Sequence, residues 1–268
     1  MLELLQITND PAFGRRCDAL GGFRLFVDLE RMGKAERQAG RNTFISVHAM
    51  QDVGRIQQVL RHSPLMVRVN PLHEGSAAEV EAVLAQGADQ LMLPMFSRAD
   101  ELRDFSRLVA GRVPIVALLE TAAALESLED WITTPGLAEV FVGLNDLHVS
   151  LGCHFMFEPL AQGLVERVAA ATKKHGLRFG FGGIARLDEG ELPGRDVLAE
   201  HLRLGSGAVI LSRTFHRAGD GDDFEAEVAK LRQAELELAQ RSPAQVQADA
   251  RRIAALIEQI AARNAAAQ

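Results

Sequence analysis

Eight short apolar runs, separated by longer stretches of mixed character, set the tightest limit on what this chain folds into. They fall at residues 2–7, 23–29, 65–69, 90–94, 113–119, 139–142, 177–181 and 208–211. Each is rich in apolar residues at successive positions, the pattern of a strand buried on both faces. Helical stretches lie between them. In 77–86, Val80, Val83 and Leu84 recur at helical spacing, and 160–175 ends at Gly176, a residue suited to a helix C-cap. Strand alternating with helix specifies a parallel sheet, and eight evenly spaced units fit a (β/α)8 TIM barrel better than an open doubly wound sheet. The connection from 31 to 64 carries a further apolar run at 43–47, so strand numbering is least fixed there.

The chain beyond the eighth run differs. Phe224, Val228, Leu231 and Leu238 mark one amphipathic helix, and Ser242-Pro243 supplies an N-cap and a proline in the first turn of a second. In that second helix Val246, Ala250, Ile253, Ile257 and Ile260 form a stripe that needs a partner. Two partners are open, the chain's own barrel or another subunit. The expected organisation is a barrel domain over 1–220 and a C-terminal helical extension over 221–268 that serves oligomerisation.

The net charge of −7 argues against a nucleic-acid partner, whose affinity rests on clustered basic residues. The two cysteines, Cys17 and Cys153, are too few for a disulfide framework. The most apolar stretch, 113–125, is interrupted by Glu120 and is shorter than the roughly 20 residues that span a bilayer. No membrane association is expected, and a reducing cytoplasm is the expected location. The chain contains no tyrosine, which removes every tyrosine general acid from its chemistry.

In a barrel of this kind the chemistry sits at the C-terminal ends of the strands. The second run ends in Asp28-Leu29-Glu30, the third in Arg68-Val69-Asn70, the fifth in Glu120-Thr121, and the sixth opens into Gly143-Leu144-Asn145-Asp146. Glu120 and Asp146 come from neighbouring strands, so their carboxylates are placed to converge. Two carboxylates with water and substrate oxygens make a hard oxygen site suited to Mg2+ or Mn2+. Arg68 across the mouth offers a planar fork for a carboxylate or a carbonyl oxygen. The plain alternative for each is a surface acid at a helix start or a salt bridge on the rim.

Read together, VDLE, VRVN, GADQLMLPMF, IVALLET and FVGLNDLHVSLG resemble the HpcH/HpaI aldolase and citrate lyase β-subunit family over about residues 23–151. The resemblance implies a phosphoenolpyruvate/pyruvate-type barrel that forms or cleaves a carbon-carbon bond next to a 2-oxo acid or acyl-CoA. It implies that Glu120 and Asp146 bind the divalent metal and that Arg68 faces the oxo group. Metal and arginine together would stabilise an enolate on C3. Backbone N–H groups around Leu144, Asn145 and Asp146 are expected donors to the bound carboxylate, with Asn145 alternatively only holding its turn.

The sequence departs from the pattern after Glu30. The aldolases carry a histidine there and the lyase-like members an acid, whereas this chain has Arg31. Proton transfer therefore falls to Glu30 or to His48, which ends the run ISVHAM; the alternatives for His48 are a structural role or a contact to phosphate or sugar. Arg31 is a candidate cation for an acidic group on the substrate. Gly180-Phe181-Gly182-Gly183 after the seventh run and Ser212-Arg213 after the eighth suggest a second anion site, with Gly182 and Ser212 as contacts, although glycines there also serve close packing. His154, Phe155, Phe157 and the sequence around Arg186 are expected to shape the rim. No P-loop, CxxC or GxSxG motif is present, and neither Lys34 nor Lys173-Lys174 tops a strand, which disfavours a Schiff base.

The leading expectation is a metal-dependent aldolase or lyase acting on a 2-oxo acid, pyruvate, with an aldehyde partner, sugar-derived aldehydes included, in a homo-oligomer. The alternatives are a citrate-lyase-like acyl-CoA lyase, phosphoenolpyruvate chemistry on the same barrel, and a catalytically inactive barrel serving as a binding or scaffold subunit.

Overall fold

A computed structural model describes residues 1–33, 47–215 and 223–267. The apolar run at 43–47, except for Val47, and Lys34 lie outside the described residues. Eight parallel strands, β1 (Glu3–Ile7), β2 (Phe23–Asp28), β3 (Leu65–Arg68), β4 (Gln90–Leu93), β5 (Ile115–Leu119), β6 (Leu137–Val142), β7 (Arg178–Ile184) and β8 (Ala208–Leu211), close into a barrel in chain order. Every one of the eight expected runs forms a strand. All residues of β2 and β5 are buried, because one face meets the barrel interior and the other the surrounding helices. No helix among the described residues is long and apolar enough to cross a membrane.

The chain divides into two compact units, Leu4–Phe141 and Met1–Glu3 with Val142–Gln268. In the first, α1 (Pro11–Leu20), α2 (Met50–Gln57), α3 (Ser76–Ala85), α4 (Ala99–Val109), α5 (Ala122–Glu126) and α6 (Leu128–Trp131) connect the strands. The register pairs Phe26 with Met66 and Asp28 with Arg68 across β2 and β3. Side chains alternate along a strand, so Arg24, Phe26 and Asp28 share one face of β2, and Met66 and Arg68 share the matching face of β3. Arg24 reaches Glu139 of β6 at 2.8 Å, four strands round the barrel, which identifies that face as the barrel interior. Asp28 and Arg68 therefore stand at the C-terminal end of the interior, where barrel active sites form.

The second unit holds α7 (Leu144–Ser150), α8 (Glu158–Ala161), α9 (Leu164–Lys174), α10 (Gly194–Leu204), α11 (Phe224–Ala239) and α12 (Pro243–Ala266). The single helix expected over 160–175 is two, because Gly163 at φ +74° breaks the path between α8 and α9. The strand expected to end at 181 runs to Ile184, so the glycines expected in a loop after β7 lie within it. The pairing with β8 shifts register between Gly180 and Gly183, and Gly182 sits at φ +51°. A Cβ at Gly182 would meet Leu144 Cδ1 at 3.0 Å, so close packing explains that glycine.

Ser242 caps α12 as its sequence indicates: its hydroxyl accepts from Gln245 N–H at 3.3 Å and Gln245 Oε1 accepts from Ser242 N–H at 2.8 Å. The helix packs on α8 and α10, and Ile253, Ile257 and Ile260 are buried there. Arg252 adds a bidentate pair with Asp196 of α10, at 2.6 and 2.9 Å. Within the stripe, the chain's own helices thus cover the three isoleucines, while Val246 and Ala250 are half-buried.

Candidate active site at the strand ends

Arg68 organises the strand ends of the first unit. Its Nε and Nη2 donate to Asp28 Oδ1 and Oδ2 at 2.9 and 2.8 Å, a bidentate pair between the last residues of paired strands. Its Nη1 stands 3.4 Å from Glu30 Oε2, and its guanidinium carbon lies 5.6 Å from the centre of the Phe26 ring. Burial opposes the charge of Arg68, but the Asp28 carboxylate, then those of Glu30 and Glu120, more than offset it and raise its pKa above the usual arginine value. Arg68 is thus a permanent cation with one edge committed to Asp28.

The sequence reading missed the role of Asp28, although the strand-end run VDLE contains it. The available signal was period-two alternation: Asp28 shares a face with Phe26, so it faces inward, as Arg68 does. Glu30 N–H donates to the same Asp28 Oδ1 at 3.2 Å, and both carboxyl side chains are almost fully buried.

His48 and Arg31 meet on this edge. Asp28 N–H donates to His48 Nδ1 at 3.0 Å, and Arg31 Nη2 donates to the His48 carbonyl at 2.8 Å. The backbone N–H groups of Arg31 and Met32 both donate to Asn70 Oδ1, at 2.9 and 3.1 Å, while Asn70 Nδ2 donates to Glu79 Oε1 at 2.7 Å. The residue that departs from the family pattern thus ties the end of β2 to the segment before α2.

Glu120 follows β5 and is buried. Its Oε1 accepts from Met95 N–H at 3.0 Å, and Met95 has φ +55°, an uncommon conformation for a residue with a side chain. Thr121 hydroxyl donates to the Phe96 carbonyl at 2.9 Å, so the loop after β4 is fastened on both sides of Met95.

In the second unit, Leu144, Asn145 and Asp146 form the first turn of α7, whose first intrahelical bond runs from Leu147 N–H to Gly143 C=O. Their N–H groups belong to the turn a helix does not satisfy internally. Leu144 is buried; Asn145 and Asp146 are half-buried. Ser212, after β8, hydrogen-bonds Thr214 Oγ1 at 2.9 Å, and Thr214 Oγ1 accepts from Arg186 N–H at 3.1 Å.

Among the described residues no three His, Cys, Asp or Glu side chains form a ready cage for a metal ion. The donor chemistry nevertheless suits a hard divalent cation. Asp28, Glu30 and Glu120 bring three buried carboxylates within electrostatic reach of Arg68, and all their donors are oxygen.

An inward-facing arginine and buried carboxylates at the C-terminal ends of a parallel (β/α)8 barrel define a barrel of the kind that houses catalytic sites. Residues 9–181 match the model of the HpcH/HpaI aldolase/citrate lyase family, and the chain belongs to that family of aldolases and lyases. A (3S)-malyl-CoA thioesterase of Cereibacter sphaeroides is 32% identical over 118 residues, 43% of this chain and 41% of that protein. The chain thus spans about two fifths of the length of the curated relative it matches. Two solved structures share the fold. One is an HpcH/HpaI aldolase from Desulfitobacterium hafniense, with TM-score 0.62, 18% identity, and 90% of this chain and 95% of that one covered. The other is an HpcH/HpaI aldolase/citrate lyase family protein from Burkholderia cenocepacia, with TM-score 0.63, 20% identity, and coverage of 88% and 94%.

Proposed function

We propose that this protein is a divalent-metal-dependent aldolase or lyase that makes or breaks the carbon-carbon bond next to a 2-oxo acid, with pyruvate as the oxo acid and an aldehyde as partner. The observation that carries this reading is Arg68. One edge is fixed by Asp28, and Nη1 is in only a long contact with Glu30. That Nη1 edge donates to the oxo oxygen of the substrate. As a proton leaves C3, negative charge gathers on that oxygen, and an immobile guanidinium stabilises the enolate more than the ketone. Glu30, buried beside Nη1, takes the C3 proton in this reading.

Glu120 and Asp146 are the proposed ligands of Mg2+ or Mn2+, and a cation bound there supplies positive charge that lowers the cost of enolisation. The N–H groups of Leu144, Asn145 and Asp146 are proposed donors to the substrate carboxylate. Ser212 is proposed for the far end of the partner molecule, through its hydroxyl. The barrel over 1–220 carries the activity, and the helices over 221–268 serve a cytoplasmic homo-oligomer through the part of the stripe that is not fully covered.

Exchange of pyruvate methyl protons with deuterated water, followed by proton NMR, tests the reading. Exchange should appear with Mg2+ or Mn2+, stop on chelation, and be abolished in Glu120→Gln and in Asp146→Asn. The thioesterase similarity supports a second reading, an acyl-CoA lyase or thioesterase on the same barrel. Cleavage of malyl-CoA without pyruvate exchange would favour it. Inertness toward both substrates under every metal would leave the inactive scaffold.

A further inference from the structure

We propose that His48 is a positioning residue: its imidazole holds the Asp28 peptide, and Asp28 in turn aims Arg68. This rests on the reading of Arg68 as the group that meets the oxo oxygen, and it adds a residue that the family motifs do not contain.

The inference begins with a hydrogen-bond direction. A backbone N–H is only a donor, so the Asp28 amide at 3.0 Å requires His48 Nδ1 to carry a lone pair. The imidazole is thereby fixed as the neutral tautomer with its proton on Nε2. Nδ1 is committed to the backbone, and its protonation and the Asp28 bond exclude one another.

The same histidine is gripped a second time. Arg31 Nη2 donates to the His48 carbonyl at 2.8 Å, while the Arg31 and Met32 amides are held by Asn70 Oδ1. The ring and the main chain of His48 are thus both attached to the end of β2, from a position 20 residues later in sequence. His48 is itself buried, so the attachment lies inside the protein.

Asp28 carries the effect onward. Its amide faces His48 and its carboxylate takes the Nε and Nη2 edge of Arg68. A rotation of the Asp28 peptide would swing the carboxylate and, with it, a bidentate fork that tolerates little misalignment. Glu30 N–H on Asp28 Oδ1 would move with it. A shift of about 1 Å in a group that meets the reacting atoms can cost about a hundredfold in rate.

Among the described residues, charged groups beside His48 include Arg31, whose guanidinium holds its carbonyl, and Asp52 of α2. Asp52 is already engaged by the Ala49 amide at 2.8 Å and by Asn9 Nδ2 at 3.2 Å. The pattern is that of a brace.

His48→Asn separates this role from proton transfer, because Asn Oδ1 lies as many bonds from Cα as His Nδ1 and accepts a hydrogen bond, yet it cannot act as a base near neutral pH. His48→Leu removes the acceptor. With full-length protein, Mg2+ and pyruvate, His48→Leu should slow saturated methyl-proton exchange by about ten- to a hundredfold with little change in half-saturating pyruvate. His48→Asn should restore the rate to within about threefold of the parent. An asparagine variant as slow as the leucine variant, or a leucine variant as fast as the parent, overturns the proposal.

A second readout does not depend on pyruvate. Amide exchange of Asp28 and the Arg68 Nε–H resonance, followed in proton-nitrogen spectra, should show at least a tenfold loss of protection and a broadened arginine signal in His48→Leu, but not in His48→Asn. If the parent protein exchanges no pyruvate protons, the functional reading fails while these spectra still decide the role of His48. Arg31→Met, an exposed position, serves where the leucine variant does not fold. It should lower Asp28 amide protection at least threefold, and unchanged protection there overturns the proposal.

Discussion

Two arginines on neighbouring strands of the first unit face the same barrel interior and do opposite things. Arg24 on β2 has a fully buried side chain, with Glu139 at 2.8 Å and Met66 Sδ at 3.7 Å. Arg68 on β3 keeps 15% of its side chain exposed and faces the carboxylates of Asp28, Glu30 and Glu120. The first arrangement matches one base to an acid across the barrel and seals it from water. The second leaves an arginine outnumbered by acids at the strand ends, where the proposed substrate oxygen and cation would complete the balance. Depth in the barrel and local charge balance, rather than residue type, separate a brace from a site.

The largest expected effect breaks the brace. Arg24→Met leaves Glu139 charged and buried, and should cost about 3–5 kcal/mol in urea denaturation. Arg24→Met combined with Glu139→Leu should recover most of that loss, because the uncompensated charge is gone. A double variant as unstable as the single one would show that packing around Arg24, not its charge, carries the effect.

Arg68→Lys tests the other member of the comparison. The ammonium keeps the charge but cannot make the bidentate contact with Asp28. Pyruvate proton exchange should fall by about a hundredfold, with denaturant stability changed by less than about 1 kcal/mol. Equal losses of stability and activity would place Arg68 in the class of Arg24.

A third buried group, in the other unit, sharpens the contrast because its ring and hydrogen-bond contacts are with neutral side chains. His201 stacks on Phe181 with ring centres 3.8 Å apart, its Nδ1 meets Ser206 Oγ at 2.8 Å, and its buried Nε2 has no hydrogen-bond partner among the described residues. Burial lowers its pKa to about 3. The unfolded chain takes up a proton near pH 6.5 and the folded chain does not, so stability is unaffected above that pH and falls as pH drops toward 3. At pH 4.5 the loss should be about 2–3 kcal/mol relative to pH 7. His201→Phe should flatten that part of the denaturation-versus-pH curve.

The smallest effect concerns a carboxylate held by three backbone N–H groups and the Ser63 side chain. Asp18 accepts from the amides of Arg61, His62 and Ser63 at 2.9, 3.0 and 2.7 Å. Burial raises its pKa, but these bonds outweigh burial and bring it below the usual 3.8. Its stabilisation is present above that value and lost as pH falls through the folded pKa. Asp18→Asn should cost about 1–2 kcal/mol at pH 7 and less at pH 3, measured by thermal unfolding.

Much of the fold was legible because it is written locally. Apolar runs marked every strand, and Ser242-Pro243 announced the cap of α12. Local pattern failed where glycine conformation decided the outcome: Gly163 split one expected helix, and Gly182 lay inside β7 rather than beyond it. At the candidate site, strand-end position selected Arg68, Glu30 and Glu120, all of which lie at strand ends. It gave Asp28 no role, and it did not reveal the hydrogen bond from the Arg31 guanidinium to the His48 carbonyl.

The amino-acid sequence by itself determined the eight strands, the helices between them and the set of acids and arginine at the strand ends, since periodicity and turn residues act over a few positions. Only the tertiary structure decided which partner each charge takes. Asp28 meets Arg68 across 40 residues of sequence, and His48 meets Asp28 across 20. Strand register sets the first pairing, and the return of the chain to the end of β2 sets the second. A side chain's partner, and with it the tautomer of His48 and the aim of Arg68, depends on contacts that exist only once distant segments have packed.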